Sequence, residues 1–353
     1  MSKFFFADSL ADYEHLNLKP GIVEKWEDGM RTHGGKGTYE WWYFDAHLDD
    51  GSKIVIVFYT KAMTEVNKPL KAYATINIDL KDGSKLERYL PSSDFYSSKD
   101  ECDVRIGKCS FKGDLNFYNI HLEGGDFIFD AKISSVSKSW RPETGHLFFG
   151  KKRNLFAWVV PVPKGTVSLF YKFPGIEITT KGSCYHDHNW GDISLHKLID
   201  HWYWARAEFG PYTIIGAQII PRKKFKQNPV NIIMILKDGK KIADSSDNME
   251  FLKLNPFISE IGKKPISNQI IFNYHENEFK FKLELNRTKN ILQTYLIQEE
   301  FKRKLAKFLI GFNGAYFRIT GDSKLSVKIG IEPEITYTNN NTIWELMYFG
   351  NPD

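Results

Sequence analysis

Tyr39-Glu40-Trp41-Trp42-Tyr43-Phe44-Asp45-Ala46-His47-Leu48, a break at Asp49-Asp50-Gly51-Ser52, then Lys53-Ile54-Val55-Ile56-Val57-Phe58-Tyr59 reads as one β-hairpin. Aromatic and β-branched side chains suit the pleated surface of a strand, and an Asp-Gly pair tolerates the positive φ that a tight hairpin turn requires. The pattern recurs along the chain. Asp82-Gly83 and Asp238-Gly239 also sit between apolar runs. Alternating or apolar segments at 73–80, 127–133, 155–160, 166–171, 212–220, 230–236, 270–274 and 279–285 read as further strands. Many short strands at turn-marked intervals imply sandwiches or barrels. At 353 residues the chain exceeds one typical domain. The expected fold is therefore all-β, with two sandwich- or barrel-like domains at residues 1–195 and 196–353 and one or two helices. The boundary is placed where Gly191-Asp192 gives way to Ile193–Asp200.

One segment departs from this pattern. Leu292, Leu296, Phe301, Leu305, Phe308 and Leu309 fall at near-helical spacing, with Lys302, Arg303, Lys304 and Lys307 among them. An amphipathic helix with a basic face is expected over 292–310. Such a helix flanks a barrel in the plain reading and lies on a membrane surface in the sharper one.

Composition narrows the partners. With 48 basic and 43 acidic residues the net charge is only +5, so nothing demands a nucleic-acid partner. The 27 Phe, 17 Tyr and 9 Trp supply ample flat apolar surface, which favours strands and apolar pockets. Cys102, Cys109 and Cys184 are too few and odd in number for a disulfide framework, which fits a reducing cytoplasm; a single Cys102–Cys109 bridge across a hairpin stays open. No secretory signal is read at the N-terminus, and the longest apolar stretch, 155–162, is too short to span a bilayer. The expected protein is a cytoplasmic monomer or homodimer, with peripheral membrane contact through the basic helix as an option.

Three constellations carry candidate chemistry. In 39–46, Glu40 shares a strand face with Trp42, Phe44, Ala46 and Leu48. A carboxyl among rings is desolvated and can serve as a proton or hydrogen-bond donor; alternatively it pairs with a cation such as Arg206. In 182–191, His186, His188 and Trp190 share one face and Tyr185, Asp187 and Asn189 the other. A His-x-His pair suits a metal, yet no neighbouring motif completes a ligand set, so no metal is expected and a hydrogen-bonded network is the competing reading. In 201–208, Trp202, Trp204, Arg206 and Glu208 share a face, either as a wall for a polyene or cation or as a packed Trp pair with Arg206 bridged to Glu208 or Asp45. No phosphate loop, dinucleotide turn or nucleophile elbow appears in the right context, and no cofactor is expected.

These motifs, in this order, resemble the carotenoid 1,2-hydratase (hydroxyneurosporene synthase, AttH-like) superfamily. Glu40–Ala46, Tyr185–Gly191, Trp202–Ala207 with Gly210-Pro211-Tyr212-Thr213, and Gly314–Gly321 carry the likeness. They look closest to the branch holding kievitone hydratase and the lipocalin-like Diels–Alderases. The resemblance implies two lipocalin-like β domains, a substrate pocket at or near their interface, and chemistry without redox cofactors: hydration of a C=C bond or cyclisation of a polyene. Where the hydratases carry a proton-donating Asp on the strand after Trp-x-Trp, this chain has Gln218. The leading expectation is a cofactor-independent cyclase acting on a hydrophobic polyene or isoprenoid-type intermediate. Hydration is the alternative, and a non-catalytic carrier of a hydrophobic ligand is a third reading. Glu40, Asp187, Asn189 and Gln218 are the catalytic candidates. Trp42, Tyr59, His186, His188, Trp190, Trp202, Trp204, Arg206 and Glu345 are the substrate-contacting ones.

Overall fold

A computed structural model describes residues 4–225, 228–297, 299–304 and 312–350. Strand accounts for 62% and helix for 7%, in two antiparallel sheets of which one curls into a half-barrel. The chain divides into two compact units, one of Phe5–Ser194 and the other of Phe4 with Leu195 onward.

In the first unit the sheet runs, neighbour to neighbour, through Lys85–Pro91, Tyr73–Asp79, Lys53–Tyr59, Tyr39–Leu48, Ile176–Gly191, Asn154–Phe173, Phe127–Ser135, Phe117–Gly124, Cys109–Gly113, Cys102–Ile106 and Phe95–Ser97. The expected hairpin forms with Trp41 opposite Tyr59 and His47 opposite Lys53. Gly51 takes φ of 89° at its turn, a region that favours a residue without Cβ. Tyr39–Leu48 then pairs on its far edge with Ile176–Gly191, Trp190 facing Glu40 and Cys184 facing Ala46. Central placement buries both faces of Tyr39–Leu48, leaving only Tyr43 and His47 partly open. The two segments at 155–160 and 166–171 are one strand, Asn154–Phe173. Its register slips between Val159 and Val162 and again between Val162 and Gly165. Pro161 and Pro163 lie in those slips, since proline has no N–H for the ladder.

Trp42, Phe44, Ile56, Phe58, Phe111, Tyr118, Phe129 and Tyr171 pack with others into the core of this unit. A buried ion pair ties its N-terminal segment down: Arg141 Nη1 donates to Glu27 at 2.8 and 3.0 Å, and also to the Ile22 carbonyl. The three cysteines are free and buried. Cys102 faces Gly113 and Cys109 faces Ile106, at opposite ends of one hairpin, so the open option of a bridge is overturned by register.

In the second unit the order is Lys240–Ala243, Val230–Lys237, Tyr212–Pro221, Ile199–Phe209, Ile335–Tyr348, Ala315–Ile329, Phe279–Tyr295, Pro265–Glu276 and Met249–Ile258. Tyr203, Ala205, Ala207, Phe272, Phe317, Trp344 and Leu346 lie in its core. The helix expected from 292 begins later. Residues 292–295 continue the Phe279–Tyr295 strand, Leu292 opposite Arg318 and Tyr295 opposite Ala315. Residues 300–304 are helical, with Lys304 paired to Glu300 at 2.7 Å; Leu305, Lys307, Phe308 and Leu309 fall outside the described residues. Ladder pairing outweighs helical spacing here, because an edge of the sheet is available to that stretch. No described helix is long and apolar enough to cross a membrane.

Candidate functional site

The strand Ile176–Gly191 carries two polar arrays, one on each face, because side chains alternate along it. On the first face, His186, His188 and Trp190 stand beside Phe44, Trp42 and Glu40 of the neighbouring strand. Trp42, Glu40, His186 and His188 are wholly buried, and the Trp42 and His188 rings stack at 4.6 Å. Glu40 Oε1 is hydrogen-bonded to His188 Nε2 at 2.8 Å and accepts from the Arg31 amide at 2.6 Å. Glu40 Oε2 accepts from the Thr32 amide at 2.9 Å and the Thr32 hydroxyl at 2.7 Å. Four hydrogen bonds therefore converge on this carboxyl, and its partner is His188 rather than Arg206. Glu40 acts as an acceptor that latches residues 31–32 to the sheet.

Asp28, at the end of the short 3-10 turn Lys25–Asp28, completes this array. Its Oδ2 accepts from Tyr118 Oη at 2.7 Å and lies 3.1 Å from His186 Nε2. Trp42 Nε1 donates to the Asp28 carbonyl at 3.0 Å. Tyr118 reaches Asp28 because its ring lies over Gly113, where a Cβ would come within 1.9 Å of the ring. His186 Nδ1 donates to the Tyr43 carbonyl at 2.7 Å. Burial pulls the His186 pKa down, but the Asp28 carboxylate and the Tyr43 carbonyl prevail, and the net direction is up.

On the second face, Tyr185, Asp187 and Asn189 stand beside Asp45, Tyr43 and Trp41, with Tyr59 next to Trp41. Asp187 Oδ2 accepts from Tyr185 Oη at 2.8 Å and Trp158 Nε1 at 3.0 Å, while Oδ1 accepts from Asn189 Nδ2 at 2.7 Å. Burial dominates the Asp187 carboxyl and pushes its pKa up to about 7, with the hydrogen bonds from Tyr185 and Trp158 opposing and the Asp45 carboxylate assisting. A carboxyl poised near neutrality, ringed by donors and aromatic faces, can give a proton or a strong hydrogen bond. Tyr43 and Tyr59 remain half-buried on this face, where an apolar molecule has flat surface to contact. A separate open cleft of about 500 Å³ lies between Trp26, Arg31, Thr32 and Lys99.

In the second unit, Trp202, Trp204 and Arg206 project from Ile199–Phe209 on the face opposite the core residues Tyr203, Ala205 and Ala207. Arg206 is ion-paired to Glu208. Trp204 aligns across the ladder with Glu345, and Glu345 with Arg318. Tyr316 donates to Glu345; Arg318 Nε donates to Tyr316 Oη at 3.2 Å and lies 3.6 Å from Glu345. Sequence reasoning missed Tyr316 and Arg318 as partners of Glu345, since only strand register joins them. Gln218 does not join this group. It pairs in register with Tyr203, on the core-side face, and its Nε2 donates to Asn231 Oδ1 at 3.0 Å.

The chain is mostly β, with a buried carboxyl set among aromatic side chains. The Diels-Alderase-like family matches residues 130–328, more than half of the chain, and the chain belongs to that family. A hydroxyneurosporene dehydrogenase of Chlorobaculum tepidum is 27% identical over 208 residues, 48% of this chain and 54% of that protein; the chain spans about half the length of that relative. The crystal structure of CghA with Sch210972 aligns with a TM-score of 0.61 at 14% identity, over 93% of this chain and 96% of that one. Kievitone hydratase from Nectria haematococca aligns with a TM-score of 0.60 at 13% identity, over 93% of each. At these identities the structural likeness is one of fold.

Proposed function

We propose that the protein is a cofactor-independent cyclase of a hydrophobic polyene or isoprenoid-type molecule, with Asp187 as its hydrogen-bond donor. The observation that carries this reading is the Asp187 carboxyl itself, buried and held near pKa 7 beside Asn189. In its neutral form it offers an O–H to a substrate carbonyl, drawing electron density from a conjugated alkene where charge develops. Trp41, Tyr43, Tyr59 and Trp158 line the same array and would hold a flexible chain folded against itself, which lowers the barrier through entropy already lost on binding. The Diels-Alderase-like family match and the fold shared with CghA support this class.

One observation favours hydration as a second reading. Asp45 stands on the same face as Asp187, opposite Tyr185, and its charge helps raise the Asp187 pKa. Two carboxyls whose environments differ can divide the acid and base roles, Asp187 protonating an alkene and Asp45 activating water. Turnover in deuterated water separates the two. A cyclase yields an isomer of its substrate with no solvent deuterium on carbon; a hydratase yields a product heavier by one water with one deuterium on carbon. Unchanged substrate across a panel of polyenes that bind the protein refutes both and leaves a carrier.

A further inference from the structure

The buried array on the opposite face of the Ile176–Gly191 strand has a chemistry that the proposed reaction does not use. Asp28, Cys102 and His186 bring a carboxylate oxygen, a sulfur and an imidazole nitrogen within 4.8 Å of one another, all three buried. They come from three separate segments: the Lys25–Asp28 turn, the Cys102–Ile106 strand and the Ile176–Gly191 strand. The His-x-His pair lacked a third ligand only because Asp28 is 158 positions away from His186.

The hydrogen bonds around the array set the tautomers. His186 Nδ1 is engaged by the Tyr43 carbonyl, which turns Nε2 toward Asp28 at 3.1 Å. His188 Nε2 is engaged by Glu40, which turns Nδ1 toward Asp28 Oδ1 at 3.6 Å. Neither Asp28 Oδ1 nor His188 Nδ1 makes a hydrogen bond among the described residues. With His186 Nδ1 and His188 Nε2 engaged elsewhere, the remaining nitrogen of each ring faces the same Asp28 carboxylate. Two ring nitrogens and a carboxylate so placed favour a cation between them, either protons or a metal ion. A carboxylate and a backbone carbonyl on the outer nitrogens is also how metal-binding histidines are held.

We propose that Asp28, Cys102 and His186 form a structural zinc site, with His188 Nδ1 beside it at 3.6 Å from Asp28 Oδ1. Sulfur, nitrogen and oxygen donors in one compact set suit zinc, whose bonds are about 2.0–2.3 Å. The charges balance: a carboxylate and a thiolate against a divalent ion, with neutral imidazoles. Zinc would therefore deprotonate Cys102, releasing its proton to solvent, with no change of oxidation state. Its role is to pin the 25–28 turn and the Cys102–Ile106 strand to the sheet. The site lies on the face away from Asp187, so its failure leaves the cyclase reading untouched.

The test uses the full chain without a histidine tag, expressed with zinc in the medium and purified without chelator. Elemental analysis should find about one zinc per chain. Stripping the metal should lower the thermal midpoint, and cobalt added to the stripped protein should give a sulfur-to-cobalt charge-transfer band. Cys102→Ala, a small change at a packed site, should abolish the band and cut zinc retention at least tenfold. Two results overturn the proposal. One is wild-type protein that carries under a tenth of an equivalent and takes up no cobalt. The other is a Cys102→Ala protein that retains full zinc. Either returns the array to a proton-bridged network.

Discussion

Replacing Asp187 with Asn removes an ionisable group while keeping its shape, and the effect on stability has a definite sign. The folded chain holds the Asp187 pKa at about 7 against an ordinary value of 3.8. Below pH 3.8 the group is protonated in both folded and unfolded chains and contributes no difference. Between there and pH 7 only the folded state keeps the proton, so stability falls as pH rises. At about 1.4 kcal/mol per pKa unit, the deficit reaches about 4 kcal/mol above pH 7. The asparagine carries no such penalty, and by rotating its amide it can still accept from Tyr185 and Trp158. Chemical unfolding of both proteins in parallel should show Asp187→Asn gaining on wild type by about 3 kcal/mol between pH 5 and pH 8. Glu27 also titrates near pH 7, but it is common to both proteins and cancels. A stability difference that stays flat to within about 1 kcal/mol across that range would refute the claim that burial governs this carboxyl. Turnover adds a second readout. Loss of a general acid costs roughly a hundredfold to ten-thousandfold, whereas an amide N–H retains part of a hydrogen-bond donor's role.

Other substitutions test the remaining elements. Tyr185→Phe removes a hydrogen bond that lowers the Asp187 pKa, so the alkaline limb of the pH–rate profile should move to higher pH; a shift downward contradicts the assignment. Glu40→Gln leaves at least one of its donors facing an amide N–H, at a cost of about 1–3 kcal/mol in urea unfolding, and full wild-type stability would rule out the latch. Arg141→Ala strands Glu27 in the interior and should cost about 3–5 kcal/mol. Because Arg141 holds the Glu27 pKa down against burial, that deficit should widen from pH 6 to pH 8, which parallel unfolding series would show.

The class of fold was readable because period-2 alternation and Asp-Gly turns are local signals, and the hairpin at 39–59 forms as written. What failed was non-local. Whether 292–295 is helix or strand depends on the partner at 315–318, which no spacing reveals. The division of Tyr185, Asp187 and Asn189 from His186 and His188 was legible, since alternation alone determines it. Their partners were not. Asp28 and Tyr118 meet His186 only through folding, and Gln218 parts from Trp204 by strand register, which depends on the Tyr212–Pro221 pairing.

The pairing of Tyr39–Leu48 with Ile176–Gly191 also dictates when the first unit can finish folding. The middle of its sheet consists of one strand made early in synthesis and one made late. Until residue 191 has left the ribosome, Tyr39–Leu48 presents an apolar edge with half its ladder bonds unmade. Such an edge invites association with other chains, and closing so long a loop is slow. Nascent chains stalled short of residue 191 should therefore depend on chaperones that shield strand edges, whereas chains extended past it should not.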